Sequence, residues 1–142
     1  MPDWLTGPVD NYILHYHSEL KAIGIDEVML YCVNDAAVMK AWAKDQKVTT
    51  EGTEGSSDNN IVFYADPTGT FTKACDMIMD HPGPIGVGLL GRCKRFALYV
   101  EDSVVKYHVV AEDVDFDPAG DDFPEKVLPP QMIAAIQEII QK

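Results

Sequence analysis

Twenty residues in the middle of the chain, Gly91 to Val110, fix more of the fold than any other stretch. Phe96, Leu98 and Val100 alternate with Ala97, Tyr99 and Glu101. After Glu101-Asp102-Ser103 a second run carries Val105, Tyr107 and Val109 on one face. A period of two around a short polar turn predicts a β-hairpin. The turn departs from the preferred pattern, because Ser103 stands where a tight mirror-image turn favours glycine. Arg92, Lys94 and Arg95 stand at the mouth of the first strand. Three cations within four residues make either a solvated rim or a site for an anion or thiolate.

Those cations are unusual for this chain. It has 142 residues with 11 basic and 23 acidic side chains, a formal charge of −12. Nucleic acids and anionic membranes both require a basic face, so neither is expected as a partner. No apolar run approaches the roughly 20 residues of a membrane-spanning helix, and MPDWLTGPVDNY lacks the basic start and apolar run of a signal peptide. Cys32, Cys75 and Cys93 are odd in number and form no CxxC. That pattern fits a reducing compartment, and a cytoplasmic location is expected. The length predicts one domain, 1–142, with a core large enough to need no disulfide staple.

Val9, Ile13, Tyr16, Leu20 and Ile23 step at helical spacing up to Gly24, which predicts a helix ending there. His15 and Glu19 are spaced as a solvated i,i+4 pair. Val28 to Val33 is a short unbroken apolar run, read as a buried parallel strand. Asn34 is the expected cap of the helix that follows, with Val38, Ala41 and Trp42 on its inner stripe. The polar segment Lys47 to Asn60 reads as a mobile surface loop. Ile61 to Asp66 is a second short strand. Thr68 or Thr70 is positioned to cap a helix whose apolar face is Phe71, Ala74, Cys75, Ile78 and Met79. His81 to Gly91 reads as a turn-rich connection. Pro129 and Pro130 open a last helix with Met132, Ile133, Ile136, Ile139 and Ile140 on one stripe. Alternating helices and strands, then a hairpin and a closing helix, predict an α/β sandwich around a mixed sheet.

Several constellations fail as sites. Asp113, Asp115, Asp117, Gly120 and Glu125 have an outline like a calcium loop. However, Pro118 stands where the turn glycine belongs and Pro124 where the bidentate glutamate belongs, leaving a solvated acidic loop. His15, His17, His81 and His108 have no ligand spacing, so no metal is expected. The glycine-rich run Gly83 to Gly91 does not pass from a strand into a helix, which argues against a dinucleotide or phosphate loop. No cofactor is expected. Cys32 and Cys75 have apolar flanks and read as inert. Cys93 lies among cations that favour a thiolate and is the one candidate reactive thiol.

VNDAAVMKAW (Val33 to Trp42), ADPTGTFTKA (Ala65 to Ala74) and RCKRFALYVEDSVVKY (Arg92 to Tyr107) resemble, in order and spacing, the type-five peroxiredoxins, also called type II or atypical two-cysteine redoxins. Leu20 to Gly24 with Asp26-Glu27-Val28 resembles that family's join between its active-site helix and the next strand. The resemblance implies a thioredoxin-like mixed sheet flanked by helices, thiol-dependent reduction of hydrogen peroxide or alkyl hydroperoxides, and frequent dimers. It identifies Arg95 with the family's active-site arginine, whose guanidinium fork holds the peroxidatic thiolate and bonds the peroxide oxygens.

The family's Pro-x-x-x-Thr-x-x-Cys motif is absent. Its cysteine would fall near Leu5, where the sequence reads MPDWLTG. The opening strands, including the central one, have no counterpart, so the domain is shortened at its N-terminus relative to the family. Without that cysteine there is no nucleophile for the O–O bond, and the 142 residues are expected to reduce hydroperoxides no faster than free thiols. The sheet must re-pair, borrow a strand from a second copy, or belong to a longer protein. Two other readings stand beside this one: a non-catalytic binding or scaffold module, and a different thiol enzyme using Cys93.

Overall fold

The computed structural model describes residues 13–46, 48, 61–113, 115, 119–120 and 122–142. Helix α1 (Ile13–Ala22) leads to strand β1 (Val28–Cys32) and helix α2 (Ala36–Asp45). Strand β2 (Ile61–Ala65) is followed by two one-turn helices, α3 (Thr70–Ala74) and α4 (Pro82–Gly86). Strands β3 (Phe96–Glu101) and β4 (Val104–Val110), a short 3-10 helix (Pro124–Val127) and helix α5 (Pro129–Ile140) complete the order. The predicted alternation is present, with α4 an additional turn inside the Gly/Pro-rich connection. Val9, the His15–Glu19 pair and most of the predicted 47–60 loop lie outside the described residues or side chains.

The strands form two pairs. β1 and β2 run parallel, Val28 opposite Ile61 through Cys32 opposite Ala65. β3 and β4 run antiparallel, Phe96 opposite Val110. Among the described residues no ladder joins β1 to β3, so the expected single mixed sheet is present as two halves. Each half carries its own packed patch. Ala43 and Val48 bury Ile61, with Val28 and Phe63 against them. Met132 and Ile136 of α5 cover Tyr99, with Ala97, Tyr107 and Val109 around it. Ile23 and Ile25, just past α1, join this second patch.

Local rules explain the element ends. Gly24 adopts a φ of 90°, where an L side chain is strained. Its N–H bonds the Lys21 carbonyl, and the Ile25 N–H bonds the Leu20 carbonyl, the paired closure of a left-handed helix end. The cap of α2 is Asp35, not Asn34: its carboxylate accepts the Val38 N–H at 2.9 Å, while Asn34 accepts the N–H of Asp35. A charged acceptor at the positive helix end takes the role that a neutral amide next to it could also fill. The buried face of α2 is Met39 and Ala43, while Val38 is exposed, so the predicted stripe is rotated by about one residue. β1 is half-buried rather than buried. α2 packs on its neighbour β2, and Met29 of β1 is 66% exposed.

The hairpin follows its alternation. Asp102 and Ser103 both take positive φ, 50° and 63°, as a two-residue mirror-image turn requires. A register shift after Tyr99 sets Tyr107 opposite Tyr99 and Val105 opposite Val100, leaving Lys106 as the extra residue of a bulge.

Candidate active site

The site gathers where β1 ends and β3 begins. β2 ends at Ala65, and Asp66 continues the ladder by donating its N–H to the Cys32 carbonyl at 3.0 Å. Gly69, in the left-handed region at φ 66°, folds the chain back so that the Asp66 carboxylate sits under the start of α3. There it accepts the Phe71 N–H (3.2 Å), the Thr72 N–H (2.9 Å) and the Thr72 hydroxyl (2.7 Å). Asp66 thus takes the capping role expected of Thr68 or Thr70, whose hydroxyls pair with each other instead. Burial acts to raise the Asp66 carboxyl, but the hydrogen bonds from Thr72 and Phe71 outweigh it and hold it below the usual carboxylate value.

Thr72 is fully buried, and its hydroxyl lies 3.4 Å from that of Tyr31. The predicted apolar face of this helix therefore gives way to a polar centre. α3 ends at Ala74, Cys75 caps it, and Phe71 is 48% exposed. The Tyr31 ring is wedged edge-on between Phe71 (centroids 4.8 Å apart) and Phe96 (5.7 Å). Burial pushes the Tyr31 phenol well above its ordinary value. The Thr72 contact opposes this, while the charge and hydrogen bond of Cys93 add to it. Tyr31 is thus held as a protonated phenol, its hydroxyl facing that of Thr72.

Cys93 is half-buried and sits in a single antiparallel bridge with Ile78. The Met79 N–H bonds the Arg92 carbonyl and the Lys94 N–H bonds the Met77 carbonyl, both at 2.8 Å. Regular strand begins only at Phe96, so the alternation that would place Cys93 and Arg95 on one face does not reach Cys93. Lys94 turns away to Glu112, at 2.9 Å. Arg95 is exposed, and its backbone is fixed on both sides, its N–H to the Gly120 carbonyl and its carbonyl to the Ala111 N–H. Arg92 acts on Cys32, whose thiol burial pushes up, with the Cys93 charge adding and Arg92 opposing. Burial also raises Cys75, and Asp66 adds to it. Cys32 and Cys75 therefore rest as thiols. Among the described residues no three His, Cys, Asp or Glu side chains converge on a metal position.

Tyr31, Asp66 and Thr72 are the residues of this candidate site that sequence reasoning missed. One signal was available: an acid closing a strand four residues before a helix is a capping candidate. Tyr31 carried none, since an aromatic residue in an apolar strand reads as core.

The model of the Redoxin family matches residues 6–122. The chain belongs to the redoxin family, among the peroxiredoxins. Rice (Oryza sativa subsp. japonica) Peroxiredoxin-2C is 35% identical over 102 residues, covering 72% of this redoxin and 56% of the rice protein. Peroxisomal membrane associated protein 20 of Schizosaccharomyces pombe is 34% identical over 123 residues, covering 82% and 71%. Reduced Prx3 from Vibrio vulnificus, solved in complex with H2O2, superposes with a TM-score of 0.65 at 27% identity, covering 96% of this chain and 74% of that one. Peroxiredoxin 5 from Alvinella pompejana, 20% identical with a TM-score of 0.65, shares the fold. The expected thioredoxin-like α/β class is thereby shown. The redoxin spans a little over half the length of the rice relative. Among the described residues no helix is long and apolar enough to cross a membrane.

Proposed function

We propose that these 142 residues are one peroxiredoxin-like domain of a thiol-dependent hydroperoxide-reducing system, slow by themselves because the family's Pro-x-x-x-Thr-x-x-Cys motif is absent from them. The observation that carries this is the division of the sheet. β1 and β3 each have one ladder partner among the described residues, and only side chains such as Tyr31 and Phe96 join them. The gap lies beside the strand that bears Arg95 at its mouth. A strand and thiolate supplied from a second copy, or from further chain, would complete both the sheet and the site. Homo-oligomerisation, with a strand-sharing dimer as its simplest form, is part of this reading. So are a hydroperoxide substrate, a thiol reductant and a cytoplasmic location. The test is stopped-flow oxidation by hydrogen peroxide, alongside Arg95→Ala and Cys93→Ser. The expected rate is that of a free thiol, unchanged by Arg95→Ala. A fast rate abolished by either substitution would overturn the proposal and make Cys93 the working nucleophile.

The binding or scaffold reading has one observation in its favour: Val87 and Leu90, after α4, are 77% and 69% exposed. Exposed apolar side chains in one short segment suit a protein contact. If Val87→Ser with Leu90→Ser left the assembly state unchanged, this reading would fail.

A further inference from the structure

We infer that the segment 80–92 is a docking surface for a second copy of this chain, its apolar centre clasped at the rim by Asp80 of each copy against Arg92 of the other. The inference rests on the reading of Val87 and Leu90 as a protein contact, and names the partner. The segment is closed at its base. The Met79 N–H bonds the Arg92 carbonyl at 2.8 Å, and Cys93 bridges Ile78 just beyond. Between these anchors the chain is shaped from within. The His81 ring accepts the Gly83 N–H at 3.2 Å. The Val87 and Leu89 N–H groups both bond the Pro84 carbonyl, and the Gly88 N–H bonds that of Ile85. Gly88 and Gly91 turn the backbone through the left-handed region, at φ 85° and 64°. This order serves no packing: no residue of α4 is buried, and residues 85–92 are all exposed. Ile85, Val87, Leu89 and Leu90 thus stand as large apolar side chains on one pre-shaped turn. A surface ordered in advance loses little conformational freedom when it is covered, and compact closed loops of this size are frequently functional.

Charge identifies what covers it. The chain carries a formal charge of −12, so most of its surface repels another copy, but 81–91 contains no Asp, Glu, Lys or Arg. Asp80 at the entry and Arg92 at the exit are both exposed. Neither side chain has a hydrogen-bond or ion-pair partner among the described residues. The bond from Met79 to Arg92 at the base sets the two charges on neighbouring positions. A two-fold axis through the segment reverses that order. It lays Asp80 of one copy on Arg92 of the other, and the same pair recurs on the far side of the axis. The segment is therefore complementary to itself, with an apolar centre and a polar rim. A wholly acidic or wholly basic partner would instead meet one of the two charges with its own sign. Repulsion between the remaining acidic surfaces is screened beyond about 8 Å at physiological ionic strength. The contact uses no strand edge, which separates it from a strand-sharing dimer.

The test is sedimentation velocity of the full chain across a wide range of concentration. The unaltered chain should dimerise, and Val87→Ser with Leu90→Ser should abolish the dimer. Asp80→Arg alone sets cation against cation, and Arg92→Asp alone sets acid against acid. Each should weaken dimerisation by about tenfold, because symmetry counts every lost pair twice. An equimolar mixture of these two single variants should form heterodimers as tightly as the unaltered chain associates, since each then meets its opposite. The chain carrying both reversals should dimerise with itself. A variant that had simply lost its fold could not be restored in this way, and thermal melts check the serine variant. A chain monomeric at every concentration, or a dimer untouched by the serine substitutions, would overturn the inference together with the reading of Val87 and Leu90 as a contact. A dimer lost in the serine variant but indifferent to every charge reversal would overturn the clasp and leave that reading standing.

Discussion

Gly120 supports the residue that the resemblance marks as functional, and replacing it tests that arrangement. Its carbonyl accepts the Arg95 N–H, and its backbone takes a φ of 86°. In Gly120→Ala the new Cβ would stand 2.7 Å from Cγ, 2.8 Å from Cδ and 2.9 Å from Cβ of Lys94, all well inside ordinary contact. The left-handed backbone costs a non-glycine residue roughly 1–2 kcal/mol. Overpacking against the Lys94 stem adds about 1 kcal/mol, at the low end for an inserted methyl group because lysine can partly yield. Yielding loosens the half-buried Lys94–Glu112 pair. The sum is about 2–3 kcal/mol, which for a chain of this length lowers Tm by roughly 6–12 °C. Calorimetry, or urea unfolding followed by circular dichroism, measures it. In a Lys94→Ala background the Cγ and Cδ clashes vanish while the 2.9 Å contact with the residue-94 Cβ and the backbone term remain, so the cost of Gly120→Ala should fall by about 0.5 kcal/mol. A Gly120→Ala loss below about 0.5 kcal/mol, or the same loss in both backgrounds, would refute the reasoning.

Three further outcomes are expected. Ser103→Gly should stabilise the hairpin by about 0.5–1 kcal/mol, since glycine relieves a positive φ at some cost in unfolded-state entropy; an unchanged urea midpoint would contradict this. Thr72→Val should lower Tm by several degrees at neutral pH, with the deficit shrinking in acid. The Asp66 carboxyl is depressed in the fold, so its hydrogen-bonded charge contributes stability above the usual carboxylate value and loses it as pH falls through the lowered one. A deficit that stayed constant from pH 6 to pH 2 would contradict that sign. Cys93 should label faster near neutral pH than Cys32 or Cys75, both held as thiols by burial and negative neighbours, and equal labelling rates by mass spectrometry would argue against it.

The hairpin, α1 with its glycine stop, and α5 behind its proline pair were legible because each is set by residues close in sequence. Periodicity placed Ala97, Tyr99, Tyr107 and Val109 correctly without reference to what they pack on. Asn34 and Asp35 show where such reading stops, because two adjacent acceptors both satisfy the capping rule and the exact path of the backbone decides between them. The site was legible only in its cations. Lys94 looked like a thiolate partner until Glu112, eighteen positions on, took its charge. Tyr31, Thr72 and Asp66 converge across 41 residues of sequence, and no local pattern reports a contact of that range. Cys93 was singled out for its neighbours in sequence, whereas the residue that bridges it in space, Ile78, arrives from fifteen positions earlier.

The seam between β1 and β3 also bears on how the molecule opens. Each strand pair has its own helix and its own buried patch, so much of the energy holding each half is internal to it. Among the described residues the two halves are tied by the edge-on stacking at Tyr31, by the packing of α1 and the Ile23–Ile25 turn against α5, and by the two backbone hydrogen bonds between Met77–Met79 and Arg92–Lys94. Ladder hydrogen bonds break cooperatively along a strand, while isolated side-chain contacts do not. A fold divided in this way opens in separable units, and amide hydrogen exchange resolves such units. The α5 and β3–β4 amides should exchange as one group and the β1–β2 amides as another, each with its own opening free energy.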